Sequence, residues 1–347
     1  MSDHSMIRGR DDGLVMAWVL TMVVFIGLMV LVGGLTRLTG SGLSMVDWRP
    51  ITGAMPPITA IEWQQVFELY KKSPQYEQVN FGMSLAEFKR IFYWEYGHRL
   101  LGRFLGVLFL VPFVFFLVRR SLSGRQIAGF LSIFCLGGLQ GFLGWYMVQS
   151  GLVNVPAVSH YRLAAHLMLA LLLLVMLFWV YLRFRQYRHL TKVNFLKWGS
   201  RIFLVMVCLQ IFYGALTAGL KAGYLYNTFP LMNGEWFPSY PGFTDPWWRN
   251  TFDNHALVQF IHRVMGTALL LGGLGLWLKG RSRDISVVQR RILNGLPVLL
   301  LIQFSLGVAT LLLGMPISLA STHQVMALLL LMHATWLVFV FRGRDPA

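Results

Sequence analysis

The sequence predicts an all-α polytopic membrane protein in which eight transmembrane helices form two repeated four-helix bundles. Composition is the first observation behind this prediction. Of the 347 residues, 56% are hydrophobic and only 13% are charged, whereas soluble domains carry about 25% charged residues. The second observation is a set of eight apolar stretches, each close to the roughly 20 residues that a membrane helix requires. The third is an internal repeat that relates the first four stretches to the last four.

The eight apolar stretches, called spans 1 to 8, follow one another along the whole chain. They lie at residues 14–35, 98–118, 127–149, 163–182, 202–220, 258–278, 292–314 and 323–341. Span 1 is too long for the apolar core of a signal peptide, and no small-residue cleavage site follows it. We therefore predict that span 1 is an uncleaved first membrane helix.

Lysine and arginine residues predict the orientation of the spans. The net charge is +16, and 18 of the 30 basic residues lie in the N-terminus, in the loops 2–3, 4–5 and 6–7, and in the C-terminus. The short connections 150–160 and 315–322 contain none. Because short cytoplasmic segments are enriched in Lys and Arg, both termini are predicted to be cytoplasmic, in the inner membrane of a bacterial cell. The basic excess then gives no reason to expect nucleic acid as a partner.

The long connection after span 1 contains two capping boxes, which are patterns typical of helix starts. Thr59-x-x-Glu62 precedes "IEWQQVFELY" and predicts a short amphipathic helix at the outer surface. Ser84-x-x-Glu87 predicts that the second membrane helix begins well outside the bilayer.

The two halves of the chain align without a gap after the first span of each half. The segment "GGLTRLTGSGLSMVDWRPITGAMPP" at 33–57 corresponds to "GALTAGLKAGYLYNTFPLMNGEWFP" at 214–238. The repeated unit contains four helices, and because four is an even number both copies have the same orientation. We therefore predict an N-terminal domain over residues 1–190 and a C-terminal domain over residues 191–347.

Each half carries two histidines at matching positions, one at the outer start of its second helix and one at the start of its fourth. They are His98, His166, His262 and His323. Their distances along the chain from the cytoplasmic basic residues place all four roughly 25–32 Å above the cytoplasmic edge, at about 1.5 Å per residue. In a hydrocarbon core about 30 Å thick, this depth is near the outer face. One such histidine is readily satisfied by a carbonyl or water, but four at one depth indicate two ligand pairs.

Two histidines on facing helices suit a haem iron with two imidazole ligands. Zinc or copper would normally recruit a further carboxylate or thiolate, and no repeated residue of either kind accompanies the pairs. We therefore predict one haem site in each half, near the outer face of the membrane.

Glycines and arginines accompany the first histidine of each half. Gly102 and Gly266 follow it by four residues on the same helix face, where they admit either a flat macrocycle or a closely packed helix. Arg99 and Arg263 follow it directly, and Arg103 is a further cation in the first half. These three arginines are candidate partners of haem propionates, with contacts to lipid phosphates as the alternative.

The two halves differ at one position that bears on chemistry. Glu95 stands three residues before His98, whereas Gln259 stands three residues before His262. This spacing places Glu95 on the His98 face of its helix, and a partly desolvated carboxylate there is a candidate proton acceptor or donor. We predict that the first half performs chemistry and that the second half holds a permanent cofactor. The alternative is a structural ion pair between Glu95 and Arg99 or Arg103.

Taken together, these motifs resemble the heme A synthase family. The segment 33–57 and the motifs "EYGHR", "AAH", "IHR" and "STHQ" are similar to those of the family, and the resemblance covers essentially the whole chain. It implies an eight-helix fold of two bundles and oxidation of the C8 methyl of heme O to the formyl group of heme A, through hydroxylated intermediates. Residues 36–90 contain no cysteine, so the chain resembles the cysteine-free subtype of alphaproteobacteria and mitochondria.

The same resemblance implies roles for individual residues and for partners. It implies a haem b cofactor on His262 and His323, with heme O as the substrate near His98 and His166 and with Glu95 as the essential carboxylate. Heme O synthase, oxidase assembly factors, the lipid bilayer and an unidentified electron acceptor are the implied partners, and a homo-oligomer is compatible with the sequence. Two alternatives stay open, a dihaem b electron-transfer subunit that reacts with quinone and a haem transporter or chaperone.

Overall fold

The computed structural model describes residues 11–48, 52–153, 155–185, 187, 190–238 and 242–343. These residues form helices and loops, and no β-strand occurs among them. The helices are α1 (Asp12–Leu38), α2 (Ala60–Lys71), α3 (Pro74–Gln78), α4 (Leu85–Val118), α5 (Gly124–Gln149), α6 (His160–Phe184), α7 (Asn194–Gly219), α8 (Asn250–Asp253), α9 (His255–Arg281), α10 (Val287–Leu312) and α11 (Ile317–Phe341).

Eight of these helices, namely α1, α4 to α7 and α9 to α11, are long and apolar enough to cross a membrane. Each predicted span falls on one of them, apart from one or two residues at the ends of spans 5 and 7. The prediction of an all-α, eight-helix membrane protein is therefore confirmed.

Both predicted capping boxes are present. The Thr59 hydroxyl accepts a hydrogen bond from the Glu62 amide while the Glu62 carboxylate accepts one from the Thr59 amide, and α2 begins directly afterwards. Ser84 and Glu87 form the same reciprocal pair at the start of α4. With 34 residues at about 1.5 Å each, α4 is longer than the hydrocarbon core is thick. It therefore extends into the connection that follows α1.

The outer part of α4 packs with α2 and α3 into an aromatic cluster, which we call the outer cap. Phe67 stacks on Phe88 with ring centroids 5.0 Å apart, and Tyr70 is fully buried beside them. The Tyr70 hydroxyl donates to the carboxamide oxygen of Gln75, and the Gln75 carboxamide donates to the Gly40 carbonyl at 2.7 Å. The outer cap thus fixes the loop that follows α1.

The chain divides into two compact units, and the N-terminal unit comprises Thr21–Leu173. The C-terminal unit comprises the chain from Leu174 onward together with residues up to Leu20. Within the C-terminal unit, α7 and α10 each pack against both α9 and α11, which closes a four-helix bundle. Within the N-terminal unit, α4 packs on α5 through phenylalanines such as Phe109 and Phe134, whose rings stack at 5.8 Å. The domain boundary at residue 190 stays a prediction.

Close packing inside the C-terminal unit gives a first testable prediction. A methyl group at the buried Gly273 of α9 would overlap Leu300 and would lie 2.9 Å from a ring carbon of Phe203. At Gly272, its exposed neighbour, nothing lies within 4 Å. Gly273→Ala should therefore overpack the bundle and reduce its stability by about 1–3 kcal/mol, which a lower thermal unfolding midpoint in detergent would record. The matched control Gly272→Ala should leave the midpoint unchanged, and equal midpoints for both variants would contradict this packing.

Candidate functional site

In the N-terminal unit, each predicted histidine packs its ring against a glycine of a neighbouring helix. A methyl group at Gly33 of α1 would lie 2.9 Å from Nε2 of His98 on α4. A methyl group at Gly144 of α5 would lie 3.0 Å from Cε1 of His166 on α6. Both predicted histidines of the first half therefore pack against a glycine in the same way, and their role as a ligand pair stays a prediction.

The C-terminal unit repeats this arrangement. Methyl groups at Gly214 of α7 and Gly307 of α10 would lie 3.2 Å from Cε1 of His262 and 2.8 Å from Cε1 of His323. The first and third helices of each half thus supply the glycine, while the second and fourth supply the histidine. The sequence repeat aligns these glycines, but their contact with the histidine rings was not predicted.

Glutamines contact the second histidine of each pair. The Gln140 carboxamide nitrogen donates to the His166 carbonyl at 3.0 Å and lies 3.4 Å from His166 Nε2. The Gln303 carboxamide nitrogen lies 3.4 Å from His323 Nε2. Both glutamines belong to a repeated motif, "LQGFLG" and "IQFSLG". A polar side chain repeated inside an apolar span is the pattern from which sequence analysis could have identified them.

The glycines that follow the first histidines serve helix packing. A methyl group at Gly102 would lie 3.3 Å from Cε of Met29, and one at Gly266 would lie 3.1 Å from Nε2 of Gln210. In both halves a side chain of the first helix therefore occupies the space that the glycine leaves. This observation favours the helix-packing alternative over close approach of a macrocycle at these two positions.

Glu95 is buried, with 2% of its surface exposed, and it binds the loop that follows α1. Its Oε2 accepts hydrogen bonds from the Ser44 amide at 2.7 Å, from the Ser44 hydroxyl at 2.8 Å and from the Met45 amide at 2.9 Å. Its Oε1 accepts a hydrogen bond from Arg99 Nη2 at 2.5 Å. The ion pair named above as the alternative is thus formed. Four donors therefore fix the position and orientation of the Glu95 side chain.

The matching residue of the second half binds its loop with the opposite polarity. Gln259 is equally buried, and its carboxamide nitrogen donates to the Tyr226 carbonyl at 3.0 Å. Gln259 carries no charge and cannot act as a proton acceptor of comparable strength. The difference between the two halves is therefore chemical rather than positional.

The arginines that follow the first histidines hold matching loop carbonyls. Arg99 donates to Met45 O at 3.0 Å and to Asp47 O at 3.4 Å. Arg263 makes the corresponding hydrogen bonds, both of 2.7 Å, to Tyr226 O and Thr228 O. A guanidinium has five N–H donors, and Nε of Arg263 is buried without a hydrogen-bond partner among the described residues. The Nε–H group of Arg263 could therefore donate a hydrogen bond to a haem propionate, in addition to the two hydrogen bonds that Arg263 makes to the loop. Arg103 lies half-buried on α4, one turn beyond Arg99.

The donor set fits a haem held by two histidines in each unit. A histidine that binds iron through one ring nitrogen presents an N–H at the other, and Nδ1 of His166 and of His323 are buried without a partner among the described residues. In the same part of the chain, no group of three or more His, Cys, Asp and Glu side chains is placed to hold a metal ion. Two imidazoles suffice for haem, because the porphyrin supplies the remaining ligands.

Comparison with known proteins identifies the family of the chain. Residues 16–335 match the model of the COX15-CtaA family, described as cytochrome oxidase assembly proteins. The chain belongs to this family. A protein of Nitrosospira multiformis named heme A synthase is 44% identical over 326 residues, which cover 92% of this chain and 91% of that protein. A protein of Bradyrhizobium diazoefficiens with the same name is 47% identical over 317 residues, covering 90% and 88% of the two chains. Membership of the COX15-CtaA family confirms the resemblance found in the sequence.

Proposed function

We propose that this chain is a heme A synthase, an oxidoreductase that oxidises the C8 methyl group of heme O to the formyl group of heme A. The family and the names of the relatives support haem chemistry of this kind. The observation that carries the proposal is the asymmetry between two otherwise matching histidine sites. Only the N-terminal site has a buried carboxylate, Glu95, beside its first histidine.

The two sites are assigned different tasks. His98 and His166 would hold the substrate heme O in the N-terminal unit, with Arg99 and Arg103 near its propionates. His262 and His323 would hold a haem b, with Arg263 near its propionates. When bound, haem b supplies one-electron redox chemistry, and the electrons would pass to an acceptor that is not yet identified.

Glu95 has the properties that methyl oxidation requires of a side chain. With water as the source of oxygen, conversion of a methyl group to a formyl group releases four electrons and four protons, so a proton acceptor is required near this carbon. The four hydrogen bonds to Glu95 orient its carboxylate.

The chain is a multi-pass membrane protein, and we propose its orientation from the distribution of charge. Basic loops indicate that both termini lie in the cytoplasm of a bacterial cell and that the histidine sites lie near the outer face of its inner membrane. On that orientation the outer cap and its loop to Glu95 face away from the cytoplasm. Heme O synthase and oxidase assembly factors are the proposed protein partners, because they would supply the substrate and receive the product.

A dihaem electron-transfer subunit that reacts with quinone is the second candidate. The matching histidine pairs of the two units favour it, because two haem sites are what such an electron carrier would use. An electron carrier does not require a proton acceptor beside one of these sites. The presence of Glu95 in one half only argues against it.

Expression with a source of heme O tests the proposal. The chain should be produced in a host that makes heme O but no heme A, and the extracted haems should be separated by chromatography. Heme A should appear only when the chain is present. Retention of haem in both sites without any heme A would overturn the enzyme proposal and favour the electron-transfer subunit.

Glycine contacts at the proposed substrate site give a second prediction. A methyl group at Gly33 would displace the His98 ring, so Gly33→Ala should weaken binding of heme O about 10-fold or more, in line with the effect of disturbing residues that orient metal ligands. Titration of the purified protein, followed by the haem absorption band, measures this affinity. Gly27→Ala is the matched control on the same helix, because nothing lies within 4 Å of a methyl group there. Equal affinities of the two variants would contradict the placement of heme O on His98.

A further inference from the structure

We propose that one position on the first helix of each half determines how firmly that half retains its haem. The position is occupied by Met29 in the N-terminal unit and by Gln210 in the C-terminal unit. Gln210 makes His262 a permanent ligand, and Met29 leaves His98 exchangeable. This inference rests on the proposed function, in which one site must keep its cofactor while the other admits a substrate and releases a product.

Met29 and Gln210 occupy the same place in their units. Gly33 and Gly214 are aligned in the repeat, and each residue stands four positions before its glycine. The end of the Met29 side chain lies 3.3 Å from the position of a methyl group on Gly102, and the end of the Gln210 side chain lies 3.1 Å from that on Gly266. Both side chains therefore reach the turn of helix that follows the first histidine.

Gln210 holds the His262 ring from this place. Its carboxamide nitrogen donates to the His262 carbonyl at 3.0 Å and lies 3.2 Å from Nδ1 of the ring. Its carboxamide oxygen is buried and has no hydrogen-bond partner among the described residues. An iron-bound histidine presents an N–H that needs an acceptor. Turning the carboxamide over would bring this oxygen to the ring, in exchange for the hydrogen bond to the His262 carbonyl. Gln210 therefore has a buried carboxamide oxygen that could accept a hydrogen bond from the ring N–H of an iron-bound His262.

Met29 offers no such support to His98. A thioether sulfur is only a weak hydrogen-bond acceptor, and no hydrogen bond joins the His98 ring to any residue that the structure describes. His98 is thus oriented by packing, which includes its contact with Gly33, and by no hydrogen bond to its ring within the described residues. A ligand held by packing alone loses less on detaching from iron than one that is also hydrogen-bonded.

The second histidine of each pair does not explain weaker retention in the N-terminal unit. Gln140 and Gln303 approach the rings of His166 and His323 at the same distance, 3.4 Å, and Gln140 also donates to the His166 carbonyl at 3.0 Å. The difference in polar support therefore lies with the first histidine, at the position of Met29 and Gln210.

Rates of haem release test this proposal without depending on conversion. The full chain should be loaded with haem b in both sites and mixed with excess apomyoglobin, which captures released haem. The wild-type chain should release haem in a fast and a slow phase. Gln210→Met should accelerate the slow phase by about 10- to 100-fold, and Met29→Gln should slow the fast phase by a comparable factor.

Two control variants separate hydrogen bonding from packing. Leu209→Met introduces the same side chain one residue away from Gln210, where the helix is exposed, and should leave both phases unchanged. Met29→Leu removes the sulfur without adding a carboxamide and should not slow the fast phase. Equal release rates for Met29→Gln and Met29→Leu would overturn the inference, even if Gln210→Met failed to fold. Failure of the proposed function would instead appear as absence of heme A from cells that contain the wild-type chain.

Discussion

Replacement of His262 by alanine should abolish both the permanent haem and the conversion of heme O. The variant loses a proposed haem ligand that packs against Gly214 and contacts Gln210. Without the haem proposed for the C-terminal unit, electrons from the substrate would have no exit, so heme A production should fall at least about 100-fold. Absorption spectra of the purified protein and chromatography of extracted haems measure the two effects.

His333→Ala is the matched control for this prediction. His333 belongs to α11 of the same unit, and a methyl group on Gly295 would lie 2.9 Å from its ring. His333 therefore packs against a glycine as the proposed ligands do, but His333 is not itself a proposed haem ligand. Haem content should survive His333→Ala. Loss of haem from His333→Ala with retention in His262→Ala would show that the ligands have been assigned wrongly.

Replacement of Glu95 by glutamine should leave heme O bound but stop its conversion. The substitution keeps the size of the side chain, removes its charge and makes the first half resemble the second, which has Gln259 at the same position. Loss of a general base lowers rates by about 10²- to 10⁴-fold. The production of heme A in cells and the affinity of the purified variant for heme O are the two measurements.

Ser44→Ala distinguishes a chemical role of Glu95 from a role in holding the loop. It removes one of the three hydrogen bonds to Oε2 and leaves those from the Ser44 and Met45 amides. If Glu95 only fixes the loop, both variants should lose similar amounts of activity. A general base predicts that Glu95→Gln loses far more than Ser44→Ala. Full activity of Glu95→Gln would remove this carboxylate from the mechanism.

The membrane helices and the first turns of two of the helices could be predicted because their causes are local. Apolar runs of the right length specify the spans, and the capping boxes at Thr59 and Ser84 specify the starts of α2 and α4. Two further capping boxes, at Ser123 and Ser286 with Gln at the third helical position, begin α5 and α10. Their Ser-x-x-Gln pattern is present in the sequence, so these two helix starts are also predictable.

Contacts between distant segments could not be predicted in the same way. The hydrogen bond from Gln75 to the Gly40 carbonyl joins residues 35 positions apart, and a backbone carbonyl leaves no mark in a sequence. The same reason hides the loop contacts of Arg99 and Arg263, whose acceptors are carbonyls. The four histidines could be identified because histidine is rare in apolar spans and because both halves of the repeat have histidine at the same two positions. The role of Glu95 in binding the loop is specified only by the fold.

A structure of the chain loaded with haem is the most direct test of the division of labour between the two units. We expect one iron between His262 and His323, and a second haem between His98 and His166 with Glu95 on the side of its C8 methyl. A haem ligated by other residues, or a Glu95 carboxylate turned away from the substrate, would contradict it.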